Sequence, residues 1–146
     1  MIIDVLINSC ARPDSMDVCL HSFFKHIKTR KHEFRLVFVE DVVDNEERQL
    51  LGRTWVENNQ KFFDEIIFLE KKAGFGFHFQ EVVKRGKSEI FFRLEDDQKF
   101  IVDVDIDPLV DILVSEKLLC NIMLRRDVYK NKFKNKIILN GVKLQE

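Results

Sequence analysis

Short apolar runs and helical patterns take turns along the first 97 residues of this chain, and that alternation narrows the folds open to it. Residues 2–7, 34–39, 65–69 and 90–94 are too short for helices and rich in β-branched and aromatic side chains, so they read as buried strands. After Pro13, Met16, Leu20, Phe23/Phe24 and Ile27 recur at helical spacing, with Asp14 and Ser15 as capping residues. Leu51, Trp55, Asn58 and Phe62 share one side of a second helix; Asp44 or Asn45 caps it, and Glu46 and Glu47 suit its first turn. A turn over 71–76 precedes a third helix with Phe79, Val82 and Val83 inward, ending near Gly86. The β-α-β-α-β-α-β order predicts an α/β fold, a mostly parallel Rossmann-like sheet with covering helices and right-handed crossovers.

Beyond the fourth strand, Asp107 and Pro108 open another helix with Leu109, Ile112 and Leu113 inward. Residues 118–124 read as a strand, 125–136 as a basic loop, and Asn140-Gly141 as a tight hairpin turn. With no internal repeat or linker, residues 1–146 read as one domain. Hydrophobic residues make up 45% of the chain, 14 of them Phe, which is enough for a packed core. The balance of 24 basic against 25 acidic residues argues against a dedicated nucleic-acid binder.

Three cysteines without CxxC spacing (Cys10, Cys19 and Cys120) give no disulfide framework and suggest a reduced, cytoplasmic setting. The N-terminus carries no signal-peptide pattern, and no run is long enough for a membrane span.

The fourth strand runs straight into Glu95-Asp96-Asp97. Strands of an open α/β sheet present their carboxyl ends to ligands. Carboxylates there suit Mn²⁺ or Mg²⁺, which take one or two such groups and fill the remaining positions with phosphate oxygens. On an extended chain Glu95 and Asp97 would share a face and Asp96 would point the other way. The alternative is a solvated acidic turn.

These motifs, in this order, resemble the nucleotide-binding half of a GT-A fold glycosyltransferase, closest to the large inverting family. The residues that carry the likeness are Asn8-Ser9-Cys10-Ala11-Arg12-Pro13 after the first strand, Val39-Glu40-Asp41 at the end of the second, Ala73-Gly74-Phe75-Gly76 after the third and Leu94-Glu95-Asp96-Asp97 at the end of the fourth. The likeness covers about residues 2–124. It implies Asp97 as metal ligand with Glu95 as a second, and Asp96 near the ribose or sugar. It also implies Cys10, Ala11 and Arg12 along the nucleoside, and Glu40 or Asp41 as acceptor for a base N–H, which favours a UDP-sugar or dTDP-sugar donor. The chain departs from the family at Lys72, Phe77 and His78, where asparagines are common. The family's catalytic base lies in a later segment, and only 49 residues follow Asp97 here, so the base stays unassigned. The acceptor half would then be shortened, supplied by another chain in a homo-oligomer, or lost.

Other motifs point elsewhere or nowhere. Asp103, Asp105 and Asp107 fail as a calcium loop, because Pro108 stands where glycine is needed; a strand with one polar face is expected instead. Gly74-Phe75-Gly76 lacks the third glycine of a dinucleotide fingerprint, and no P-loop sequence occurs. His78 is expected at the surface or as a cap, and Cys10 as a core or pocket-lining residue. A metal-dependent glycosyltransferase acting on an unknown acceptor is the leading reading. A binding domain that has lost turnover and a nucleotidyltransferase are the alternatives.

Overall fold

The computed structural model describes residues 1–116, 121–125, 136–139 and 142–143. The chain divides into two compact units, Met1–Val104 and Asp105–Glu146. The first contains β1 (Ile2–Ser9), α1 (Pro13–His26), β2 (Ile27–Lys28), β3 (Glu33–Glu40), α2 (Glu46–Asn58), β4 (Glu65–Phe68), α3 (Gly74–Lys84) and β5 (Phe91–Glu95), followed by the short β6 (Val104–Asp105) at the boundary. Four of these strands form one sheet in the order β4-β3-β1-β5, with every pairing parallel. The alternation in the sequence thus produces the fold it predicts, with strand limits shifted by one or two residues.

Pleating sends successive β1 side chains to opposite faces. On one face Phe23 of α1 is fully buried and meets Phe34, Phe92 and Phe100 edge-on, with ring centroids 5.2, 5.5 and 6.0 Å away. Such aromatic pairs add about 0.5–1.5 kcal/mol beyond burial, which gives the phenylalanine-rich composition a structural use. On the other face Leu6, Val37, Val39 and Val82 of α3 form the core, with Ile67 and Leu69 against it. Gly86 belongs to this face: a Cβ there would stand 3.2 Å from the Val83 carbonyl.

Three local expectations are corrected. Asp14 and Ser15 lie inside α1; Pro13 starts that helix and Arg12 is its N-cap, with no capping side chain, because proline needs no N–H partner at the first helical position. The buried face of α2 is Gly52 and Val56, while Leu51 is exposed; Asn45 is the cap, its Oδ1 accepting from the Arg48 N–H at 2.8 Å. In α3 the residues buried are His78 and Val82, and the glycine turn Gly74-Phe75-Gly76 is the helix's first turn.

The second unit contains α4 (Asp107–Ser115) and an antiparallel sheet β7 (Met123–Arg125), β8 (Lys136–Leu139) and β9 (Val142–Lys143) in that order. Leu139 pairs with Val142, as a two-residue hairpin requires. Asn140 and Gly141 themselves, Cys120 and most of the basic loop lie outside the described residues. Among the described residues no helix is long and apolar enough to cross a membrane.

Candidate functional site

The chain leaves β1 toward β3 and β4 on one side, and β5 then pairs on the other. The carboxyl ends of β1 and β5 therefore lie side by side at a reversal of strand order, with Asn8 opposite Glu95. This is where open α/β sheets leave a crevice for ligands. The loop Ser9-Cys10-Ala11-Arg12 meets the acidic cluster there.

Asp96 is buried beneath that loop. Its Oδ2 accepts from the Ser9 hydroxyl at 3.0 Å and from the Cys10 N–H at 2.8 Å. Arg12 Nη1 donates to Asp97 Oδ2 at 2.9 Å and lies 3.4 Å from Asp96 Oδ1. Those two carboxylates, Asp96 foremost, hold the guanidinium pKa above its ordinary value against partial burial. Glu95 pairs with Arg93, two residues back on the same face, and the Arg93 guanidinium lies over the Phe79 and Phe75 rings at 4.5 and 5.5 Å. β5 ends at Glu95, and the Gln98 N–H donates to the Glu95 carbonyl at 3.1 Å. The alternation of an extended chain thus stops at Glu95, so Glu95 goes to Arg93 and Asp97 to Arg12.

A divalent cation can be tested against these groups. Among the described residues no three of His, Cys, Asp or Glu gather to hold an ion. Asp97 is exposed, its side chain at 55%, and a single carboxylate fits the sparse protein contribution that Mg²⁺ or Mn²⁺ needs when phosphate completes its shell.

The second acidic pair ends β3. Glu40 is buried: Gln49 Nε2 donates to its Oε1 at 2.6 Å, and burial pushes its pKa up to about 7. Asp41 is also buried. Its Oδ1 accepts from the N–H groups of Val42 and Ala73, both at 2.8 Å, and its Oδ2 from that of Gly74 at 2.9 Å. Asp41 thus fastens the end of β3 to the start of α3. His78 is buried rather than at the surface, and its Nε2 donates to the Val39 carbonyl at 2.8 Å.

Two contributors had no mark in the sequence. Arg48 on α2 reaches the loop, its Nε donating to the Ala11 carbonyl at 2.8 Å and its Nη2 to that of Cys10 at 2.6 Å. Cys19 on α1 donates its thiol to the Glu95 carbonyl at 3.2 Å, and burial pushes that thiol's pKa up to about 12, so it is an inert structural group. All three partners are backbone carbonyls, which only the folded topology brings within reach. Burial also raises the Cys10 thiol's pKa.

Two concavities lie elsewhere in the first unit. One, of about 540 Å³, adjoins the end of β4 at Phe68, Lys71, Lys72 and Phe77; the other, of about 400 Å³, runs between α1 and α2 over Phe24, Trp55 and Phe62. Neither is lined by Arg12, Asp96 or Asp97.

Sheet order and acidic rim together define an open, parallel α/β domain, and comparison with solved structures specifies it as a GT-A glycosyltransferase-like fold. The chain is similar to S. aureus TarS. It aligns with the TarS 1–349 structure in complex with UDP at a TM-score of 0.60 and 19% identity, over 93% of this chain and 40% of that one. The complex of TarS 1–349 with UDP-GlcNAc aligns at 0.58 and 20% identity, over 93% and 39%, and a further TarS structure at 0.59 and 18%, over 93% and 24%. The chain thus spans about two fifths of TarS 1–349. No protein-family model matches the chain, and no curated protein matches it by sequence.

Proposed function

We propose that this chain binds a nucleoside diphosphate sugar, a UDP-sugar or dTDP-sugar, at the shared rim of β1 and β5, and that it is the donor-binding part of a metal-dependent glycosyltransferase. The observation that carries this is the docking of the Ser9–Arg12 loop onto Asp96 and Asp97 at the strand reversal, in a fold whose solved neighbours hold UDP and UDP-GlcNAc. Cys10, Ala11 and Arg12 would lie along the nucleoside and diphosphate, and Asp96 would fix the loop from below. Of the second acidic pair, Glu40 is the group left to influence the base, since Asp41 is already committed to three N–H groups. Asp97 would hold Mn²⁺ or Mg²⁺, with Glu95 able to join only by leaving Arg93. Such an ion offsets the charge that develops on a departing nucleoside diphosphate. The acceptor and the catalytic base stay outside this assignment. Cytoplasmic location and assembly into a homo-oligomer that completes an acceptor site belong to the same proposal.

A second reading has its own observation. Arg12 already places a cation against Asp96 and Asp97, so the domain could bind its nucleotide without metal and without turnover. Calorimetric titration with UDP, UDP-GlcNAc and a dTDP-sugar, each with and without Mn²⁺, separates the two. The enzyme reading expects Mn²⁺ to tighten binding and Asp97→Ala to lose about tenfold, or 1.4 kcal/mol. Equal affinity with and without metal favours the second. Binding of none of the three under either condition removes both.

A further inference from the structure

We propose that Arg48 is the positioning residue of the donor loop, the group that holds residues 10–12 in the shape a nucleotide meets; this rests on the donor-site reading above. Ala11 is fully buried and has φ of 52°, a left-handed conformation that costs a non-glycine residue free energy and persists only where its surroundings enforce it. Those surroundings come largely from α2. Arg48 donates to the carbonyl of Ala11 and to that of the residue before it, so one planar guanidinium bridges two successive carbonyls. One turn further along α2, Gly52 lies so close that an added Cβ would stand 2.9 Å from the Ala11 Cα. Asn45 fixes the backbone of Arg48, and Gln49 Oε1 accepts from the Val43 N–H at 2.7 Å. Residues 45, 48, 49 and 52 fall on one side of the helix, which makes this a polar edge aimed at the rim. With both carbonyls engaged by α2, the Cys10 N–H on the opposite side is directed to Asp96.

Arg48 is itself an exposed residue, so truncating it opens no cavity and the fold should survive. A lysine offers a point charge in place of the planar fork and should not substitute for it.

The test combines residue-resolved hydrogen exchange with UDP titration on the whole chain. In Arg48→Ala the Cys10 amide should exchange about tenfold faster, and UDP should bind about tenfold more weakly, a factor worth 1.4 kcal/mol. Amides in β3 and α3 should keep their rates. Arg48→Lys should behave like Arg48→Ala. Ala11→Gly, which adopts positive φ without strain, should recover part of the lost affinity when combined with Arg48→Ala. Unchanged Cys10 exchange, native UDP affinity in Arg48→Ala, or no coupling between positions 11 and 48 overturns the proposal. If the native chain binds no nucleotide, the donor-site reading fails by itself, and the Cys10 exchange rate still decides whether Arg48 holds the loop.

Discussion

Asp4 and Glu40 are both closed off from water, and their protonation moves stability in opposite directions. At Asp4 burial raises the pKa, but the N–H groups of Lys87 and Ser88 and the Arg35 guanidinium, 2.9 Å from its Oδ1, outweigh it and leave the value below the ordinary 3.8. Stability from Asp4 is therefore present above that ordinary value and is lost as pH falls through the lower folded one. Asp4→Ala leaves the Lys87 and Ser88 N–H groups without their acceptor, while Arg35 keeps Glu65, and should cost about 3 kcal/mol, readable by urea denaturation at pH 7. Glu40 works the other way. Burial raises its pKa from 4.5 to about 7, so the folded chain holds a proton that the unfolded chain has released. Its penalty is absent below 4.5, grows as pH rises toward 7, and is then fully present. Glu40→Gln should therefore gain on the native chain across that window, approaching about 3 kcal/mol above pH 7. Parallel curves for the two proteins from pH 4.5 to 8 would contradict it.

Among the elements, α2 carries most of what the sequence left hidden. Its apolar residues suggested a face through Leu51 and Trp55, yet the helix turns its smallest residue inward. A Cβ on Gly52 would meet Glu40 Oε2 at 2.8 Å and Ala11 at 2.9 Å, so close approach decides the rotation that hydropathy decides elsewhere. Gly76 in α3 has nothing within 4 Å of such a Cβ. Two substitutions should then differ in sign. Gly76→Ala should gain about 0.5–1 kcal/mol from helix propensity. Gly52→Ala should lose about 2 kcal/mol to crowding despite the same propensity gain. Thermal melts of the pair check both, and a stabilised Gly52→Ala would show that α2 packs differently. The strands, by contrast, were legible because burial writes an apolar run directly into sequence. The acidic rim was legible as residues, but its ion pairs were not. Where β5 ends, and whether Arg93 or Arg12 takes a given acid, depends on neighbours far away in sequence.

For the whole molecule, the site exists only because β1 and β5 are partners, which brings residues 9–12 and 95–97 together across more than eighty positions of chain. A ligand bound there ties the two ends of that span to each other. UDP at about a hundred times its Kd should therefore add about 2.7 kcal/mol to the stability of the native state. Differential scanning fluorimetry should show this as a rise of several degrees in Tm. Asp97→Ala should respond less at the same UDP concentration. No shift at high UDP, with or without Mn²⁺, would exclude nucleotide binding to the native chain.

The carboxylate of Asp41, shared among three N–H groups on two separate segments, has a mechanical consequence. The opening turn of α3 is not a hinge, because lifting it would leave the buried Asp41 carboxylate with one of its three donors and the Ala73 and Gly74 amides without an acceptor. On the donor-site proposal, a nucleotide sugar at this side of the rim would meet a wall already built, and closure over it would have to come from another segment.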